Sequence, residues 1–374
     1  MIILAIETSC DDTCISIIEK KSQKPKVLAN IVASQIKVHK QYGGVFPAMA
    51  KREHQRNLIP VLKKALQGAG MLKEIKNHKS QTINLKFKNL EKILEREPEL
   101  AKKLIVFLEK YQPPKIDALA ITIGPGLEPC LWVGINFART LGLCWNLPLI
   151  PVNHLEAHIL VNMLFPKKIE FPAICLIVSG GNTQLILVKG IGKYKVIGET
   201  RDDAAGECFD KTARLLGLDY PGGPIISKIA MEAKFPRNIK LPRPMIYEKN
   251  YDFSFSGLKT AVLYNFKGQS EKTQKSKKYI REMCAEIQQS IIDVLIHKTL
   301  QAAKNYKAKT VILGGGVTAN QELRRQLQEK LDIKLQAPPA EFCTDNAAMV
   351  GVAGCYKQKF KSWKNIKAKA NLKL

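Results

Sequence analysis

Two of the six histidines in this 374-residue chain stand one helical turn apart, in His154-Leu155-Glu156-Ala157-His158. On a helix, residues at i and i+4 share a face, so both imidazoles can reach one metal ion. Histidines at this spacing also occur on solvated helix faces, and the pair alone leaves both readings open. The stretch is close to the HExxH zinc-protease pattern without matching it, because there the glutamate directly follows the first histidine. Glu156 sits two places on, about 200° round the helix at roughly 100° per residue. It points away from any ion the histidines share, so a protease is disfavoured. A carboxylate as third ligand suits Fe(II) or Zn. Asp345, in Phe342-Cys-Thr-Asp-Asn-Ala347, can supply it if the halves of the chain fold over a common cleft. Taken alone, an Asp-Asn step reads more readily as a helix cap.

Four glycine- or hydroxyl-rich turns are the second chemical feature: Glu7 to Thr13, Gly124-Pro-Gly126, Ser179-Gly-Gly181 and Gly314-Gly-Gly316. Backbone N–H groups wrap a phosphate only where no Cβ blocks the approach. None of the turns is a P-loop, and none opens a dinucleotide-binding unit with GxGxxG. Their number, at strand ends, points to a nucleotide cleft.

The elements that must carry these residues are strands and helices in alternation. Ile2 to Ile6, a polar turn and Cys14 to Glu19 are matched in the second half by Ala173 to Val178, Ser179 to Thr183 and Gln184 to Val188. Each set reads as a buried strand, a tight turn and a returning strand, which predicts an internally duplicated α/β protein. Ile116 to Ile123 and Thr310 to Leu313 add further strands, and a helix is expected from Asn320 with Leu323 and Leu327 on one face. Three segments read as peripheral. They are a helical insertion over 73–114 with one helix over 90–108, a mobile loop over 267–281, and an exposed, lysine-rich helical end or tail over 357–373.

With 59 basic and 33 acidic residues the net charge is +26, which favours a polyanionic partner such as nucleic acid. Lysine-biased composition gives the same number without a partner. Nine dispersed cysteines without a CxxC pair suit reduced thiols, and no apolar run is long enough to span a membrane. A cytoplasmic protein without membrane association is expected.

Ordered along the chain are AIETSCDDT (Ala5 to Thr13), YGGVFPAMAKREH (Tyr42 to His54), GPGL (Gly124 to Leu127) and PVNHLEAHI (Pro151 to Ile159). VSGGNTQL (Val178 to Leu185), DDAAGECFDKTARLLGLDYPGGP (Asp202 to Pro224), FSFSGLKT (Phe253 to Thr260), GGGVTAN (Gly314 to Asn320) and EFCTDNAAM (Glu341 to Met349) follow. Together these strings resemble the tRNA N6-adenosine threonylcarbamoyltransferases, the TsaD family, once described as O-sialoglycoprotein endopeptidases. The resemblance spans nearly the whole chain outside the insertion and the extreme C-terminus. It implies the duplicated actin/Hsp70/sugar-kinase-like (ASKHA) fold, with an N-terminal domain over 1–150, a C-terminal domain over 151–350 and a basic segment over 351–374 packing back on the first domain.

The implied reaction moves threonylcarbamoyl from threonylcarbamoyl-AMP to N6 of adenosine 37 in tRNAs reading codons that start with A. By the same resemblance His154, His158 and Asp345 hold one divalent metal ion, Fe(II) first and Zn or Mg as alternatives. Ile177, Val178, Ser179, Gly180, Gly181, Asp210, Gly223 and Asn320 bind the adenylate. Asp11 or Asp12 is the candidate acceptor of the amine proton. Ile177 stands where archaeal relatives carry a tyrosine, so the chain looks closer to bacterial members. Those act with a degenerate paralogue (TsaB-like) and a small ATPase (TsaE-like), which are the implied partners. A small-molecule kinase of the same fold explains the turns but not the histidine pair, and a non-catalytic scaffold explains neither.

Overall fold

The computed structural model describes residues 1–21, 24–75, 89–166, 168–233, 239–357 and 359–374. The chain forms two compact units. The first comprises Met1–Val38, Val45–Pro166 and Asp345–Leu374; the second comprises His39–Gly44 and Lys167–Thr344. The first thus extends past residue 150 and takes in Asp345 and everything after it. One physical reason is the Ala347–Lys357 helix, which packs on the first unit's sheet.

Each unit is built on a five-stranded mixed sheet. In the first, β1 (Ile2–Glu7) pairs antiparallel with β2 (Asp12–Glu19), and β2 pairs with β3 (Lys26–Ser34). On its other side β1 runs parallel to β4 (Ala118–Gly124), which pairs with β5 (Leu149–Asn153). The second sheet repeats the pattern. There β6 (Ala173–Val178) pairs antiparallel with β7 (Thr183–Gly190) and parallel with β9 (Thr310–Gly314). Its edges are β8 (Lys193–Glu199) and β10 (Lys334–Gln336). The duplication expected from the two hairpins is therefore a duplication of whole sheets.

Why β1 and β6 are near-continuous apolar runs follows from their central position, covered on both faces. Alternate residues of β1 serve the two sides. Leu4 and Ile6 join Ile15 and Ile17 in the core beneath the helices Pro47–Gly68, Pro98–Lys110 and Glu128–Trp145. Ala5 and Ile18 face the Ala347–Lys357 helix so closely that a Cβ on Gly351 would lie 2.4 Å from Ile18 Cγ1.

The three segments read as peripheral fare differently. Residues 76–88 of the insertion lie outside the described residues. The single helix expected over 90–108 is two: residues 89–93 are helical, the chain turns, and a new helix starts at Pro98. Proline has no N–H to continue a helix and drives the residue before it out of the α region. Leu90, Leu94, Leu100, Leu104 and Phe107 are buried in the first unit's core, so this part is integral rather than peripheral.

The loop expected over 267–281 is mostly helical, comprising the end of Ser256–Lys267, a turn at Glu271–Gln274 and the start of Lys277–Asn305. Ser270 Oγ caps the middle turn by accepting from Thr273 N, and Tyr279 Oη donates to Asn265 Oδ1 across the bend. The lysine-rich end is not a helical tail either. From residue 359 it forms one short 3-10 turn, Trp363–Asn365, and is otherwise irregular, pairing Lys361 with Leu149 and donating from Lys369 N to Ile123 O at 2.7 Å.

Candidate metal centre and nucleotide turns

The histidine pair is set by the end of β5. Asn153 Oδ1 accepts from Leu155 N at 2.8 Å and from Glu156 N at 3.2 Å, so the helix His154–Leu160 starts at the first histidine. One turn brings His158 beside His154, with the rings edge-on and 4.7 Å between centroids. Asp345 arrives just ahead of the Ala347–Lys357 helix. Its Oδ1 lies 3.5 Å from His154 Nε2 and 3.4 Å from His158 Nε2. The cap of that helix is not Asp345 but Asn346, whose Oδ1 accepts from Met349 N. Glu156 points away as its helical position requires, and pairs with Lys357 Nζ at 2.9 Å.

The donor set fits a cation. His154, His158 and Asp345 offer ligand atoms within 4.8 Å of one another, the one such group among the described residues. A tetrahedron with bonds of about 2.1 Å has edges of about 3.4 Å, the spacing of Asp345 Oδ1 to both imidazoles. His158 is only 1% exposed, yet neither ring nitrogen has a hydrogen-bond partner among the described residues. A buried polar group left so costs about 1–3 kcal/mol, which a bound cation removes. Charge is already concentrated here. Burial opposes protonation of His154, but Asp345 and Glu7 outweigh it and raise the ring to about 9. Burial, helped by the neighbouring His154 charge, outweighs Asp345 and Glu7 and keeps His158 below its ordinary value. Asp345 is pushed up by burial and pulled further down by the two histidines, ending below the usual carboxylate range.

Around the cluster lie residues that sequence reading missed. Glu7, fully buried at the end of β1, accepts from Ser9 N and Thr122 Oγ1 at 2.6 Å each and lies 3.1 Å from His154 Nδ1. His54 pins the first turn, with Nδ1 2.8 Å from Thr13 Oγ1 and Nε2 3.0 Å from Cys10 O. Both stand inside strings quoted above, but only the fold shows what they touch. Asp12 lies at the start of β2 with Oδ1 buried and unpaired among the described residues. Burial first, then Asp11 and Asp345, raise it to about 7.

The residues expected to bind the adenylate all belong to the second unit. The side chains of Ile177 and Val178 are fully buried in β6, so a ligand there meets only backbone. Ser179 Oγ accepts from Asn182 N and closes the turn. A Cβ on Gly180 or Gly181 would meet nothing within 4 Å, and one on Gly223 only Phe209 at 3.8 Å. These three glycines leave open space. Asp210 Oδ1 accepts from Gly222 N at 2.7 Å, holding the start of the helix Gly222–Ala230. Asn320 caps the helix Gln321–Lys330 through Leu323 N, as its position suggests, and donates to Gln288 Oε1. Two turns read as phosphate sites are filled by the chain itself. A Cβ on Gly124 would lie 1.9 Å from Lys369 O, and one on Gly315 2.4 Å from Val178 O.

The family model described as TsaD, tRNA N6-adenosine threonylcarbamoyltransferase, matches residues 26–76 and 98–352. The chain belongs to that family. It is 43% identical over 359 residues to the tRNA N6-adenosine threonylcarbamoyltransferase of Geobacillus kaustophilus, covering 94% of this chain and 90% of the relative. The same-named protein of Thermosipho africanus is 41% identical over the full length of both. The Bacillus subtilis member is also 41% identical, with 95% and 90% covered.

Among solved structures, full-length HypF in its phosphate- and nucleotide-bound form is similar at 14% identity and a TM-score of 0.52, covering 97% of this chain and 56% of HypF. Component A of the Acidaminococcus fermentans (R)-2-hydroxyglutaryl-CoA dehydratase is similar at 14% identity and a TM-score of 0.50, over 96% and 98%. At such identity the likeness bears on fold alone, and the fold is the duplicated actin/Hsp70/sugar-kinase-like one. No helix among the described residues is long and apolar enough to cross a membrane.

Proposed function

We propose that this member of the TsaD family transfers threonylcarbamoyl from threonylcarbamoyl-AMP to N6 of adenosine 37 in tRNAs reading codons that start with A. The observation that carries the reading is the convergence of His154, His158 and Asp345, with the buried His158 Nε2 facing Asp345 Oδ1 at 3.4 Å and without a hydrogen-bond partner among the described residues. These residues would hold one divalent ion, Fe(II) before Zn or Mg. When bound, the ion supplies Lewis-acid polarisation of the carbamoyl or phosphate oxygens.

The remaining work falls to the chain. The mixed anhydride is already activated and the exocyclic amine is a poor nucleophile, so orientation and charge stabilisation dominate. In the transfer, N6 forms a bond to the carbamoyl carbon, the carbon–oxygen bond to phosphate breaks, AMP leaves and one proton departs from nitrogen. Asp12 is the acceptor of that proton, since a carboxyl raised to about 7 is poised for exchange near neutrality. Asp11 supports it as a neighbouring charge. Ser179, Gly180 and Gly181 present open backbone to the phosphate. Asp210 and Gly223 suit the ribose, Asn320 joins them on the adenylate, and Ile177 and Val178 contribute backbone only. A small-molecule kinase of this fold leaves the histidine–carboxylate cluster without a task.

The test combines the purified chain, threonylcarbamoyl-AMP and unmodified tRNA, with and without chelator, in the presence of a TsaB-like paralogue and a TsaE-like ATPase. Nucleoside mass spectrometry should show modified adenosine that chelation abolishes and Fe(II) restores. No modified adenosine under any condition overturns the reading of function. Full activity after exhaustive chelation overturns the metal.

A further inference from the structure

Glu7 is the most enclosed carboxylate near the histidine pair, and the proposed chemistry does not use it. Three donors converge on it. Ser9 N–H occupies Oε1 at 2.6 Å, Thr122 Oγ1–H occupies Oε2 at 2.6 Å, and His154 Nδ1 lies 3.1 Å from the same Oε2. Ser9 Oγ stands 3.2 Å from His154 Nδ1 as a second neighbour. The residue is 0% exposed, so water does not substitute for any of these contacts. A carboxylate has no proton to give, so it is His154 Nδ1 that carries hydrogen and donates. In the neutral ring, the form that can ligate an ion, this leaves the lone pair on Nε2, on the opposite side, where Asp345 Oδ1 lies at 3.5 Å. An unsupported imidazole chooses between two tautomers and swings about χ2; this one is held in the single state that offers Nε2.

We propose that Glu7 is the positioning residue of the metal centre: anchored by Ser9 and Thr122, it fixes the tautomer and the plane of His154, and so sets affinity for the ion without touching ion or substrate. The inference rests on the metal reading of the His154, His158 and Asp345 cluster. Partners of this kind on a ligating histidine change metal affinity about 10–100-fold when removed.

Glu7→Gln tests it with little change of volume. Its one carbonyl oxygen cannot serve both sides of the group, so either Ser9 N–H or the Thr122 and His154 pair must face an amide N–H2. Thr122→Val tests the anchor while keeping the carboxylate. Binding of Co(II) to the metal-stripped chain is followed by visible absorption and by titration against a competing chelator, with apo-protein thermal unfolding as the control. The expected result is Co(II) affinity weaker by about 10–100-fold in Glu7→Gln and by less in Thr122→Val, with apo unfolding of Thr122→Val within a few degrees of wild type.

Wild-type affinity in a folded Glu7→Gln overturns the proposal. If that variant does not fold, unchanged affinity in Thr122→Val overturns it instead. Failure of the unmutated chain to bind Co(II) overturns the metal reading itself, which keeps the two failures apart.

Discussion

At the residue scale, the buried groups with unmet demands are the ones whose replacement is most telling. His158 spends burial on two ring nitrogens with no partner among the described residues. Replacing it by leucine removes that cost, of about 1–3 kcal/mol, so the metal-free variant should unfold no earlier than wild type. It should lose the rise in unfolding temperature that Co(II) or Fe(II) gives the parent chain, a difference that calorimetry with and without metal reads directly. Asp12 carries a second prediction. Its folded value is raised to about 7 from an ordinary 3.8, so the folded state holds the proton more tightly. Stability on this account is greatest below about pH 4 and falls as the pH climbs towards 7. Asp12→Asn, unable to ionise, should flatten that slope and raise stability at pH 8 by about 1–3 kcal/mol, after discounting for incomplete burial. Denaturant titrations at pH 5 and pH 8 check the sign, and an unchanged slope removes Asp12 as its source. The same variant should lose transfer activity if Asp12 takes the amine proton.

At the element scale, two glycines make opposite predictions because they meet different surroundings. Gly351 lies within the Ala347–Lys357 helix, where alanine would ordinarily gain about 1 kcal/mol in helix propensity. Its Cβ would stand 2.4 Å from Ile18 Cγ1 and 3.2 Å from Ala5 Cβ, so the helix must move off the sheet. Overpacking of that size costs about 1–3 kcal/mol and wins over propensity. Gly351→Ala should therefore lower the unfolding midpoint, and by displacing Asp345 it should weaken Co(II) binding as well. Gly180→Ala meets nothing within 4 Å and should fold like wild type. If the Ser179 turn holds the adenylate, that variant loses affinity for AMP by calorimetry; undiminished affinity removes the turn from the site.

The same scale shows where sequence reading runs short. Period and apolar runs found β1, β2, β6 and β7 because a central strand must be apolar throughout. They could not show that Pro98 starts a second helix packed into the core, nor that residues 267–281 carry caps of their own. Glycine-rich turns were visible as turns, but Gly124 and Gly315 are glycine because their own chain lies against them, which is a tertiary cause. The histidine spacing exposed its shared face at once, since i and i+4 is a local relation. Asp345, Glu7, Thr122 and His54 join through separations in sequence that no local pattern records. Asp345 is a candidate ligand that reads more readily as a helix cap until the family strings are read together, and nothing nominates Glu7.

At the scale of the whole molecule, the charge of +26 is the feature that composition alone leaves ambiguous, and the C-terminal segment is where it becomes testable. That segment is tied to β4 and β5 by backbone hydrogen bonds, and Ile366 is buried in the first unit's core. Its lysines nevertheless point outward: Lys364, Lys367 and Lys369 are all exposed. A lysine-biased composition would leave them as solvated charge, and replacing them would change nothing in binding. If they meet phosphates, each displaces about 0.7–0.9 of a counterion, and log Kobs falls with log salt in proportion to the contacts made. Replacing all three by glutamine removes no buried contact, since the apolar residues between them are untouched. The expected outcome is tRNA binding that is weaker at low salt and a salt slope shallower by about 2–3, with the unfolding midpoint unchanged. Filter binding across a salt series measures both numbers. Equal slopes in variant and parent assign these lysines to composition, whereas a shallower slope places the end of the chain against the nucleic acid.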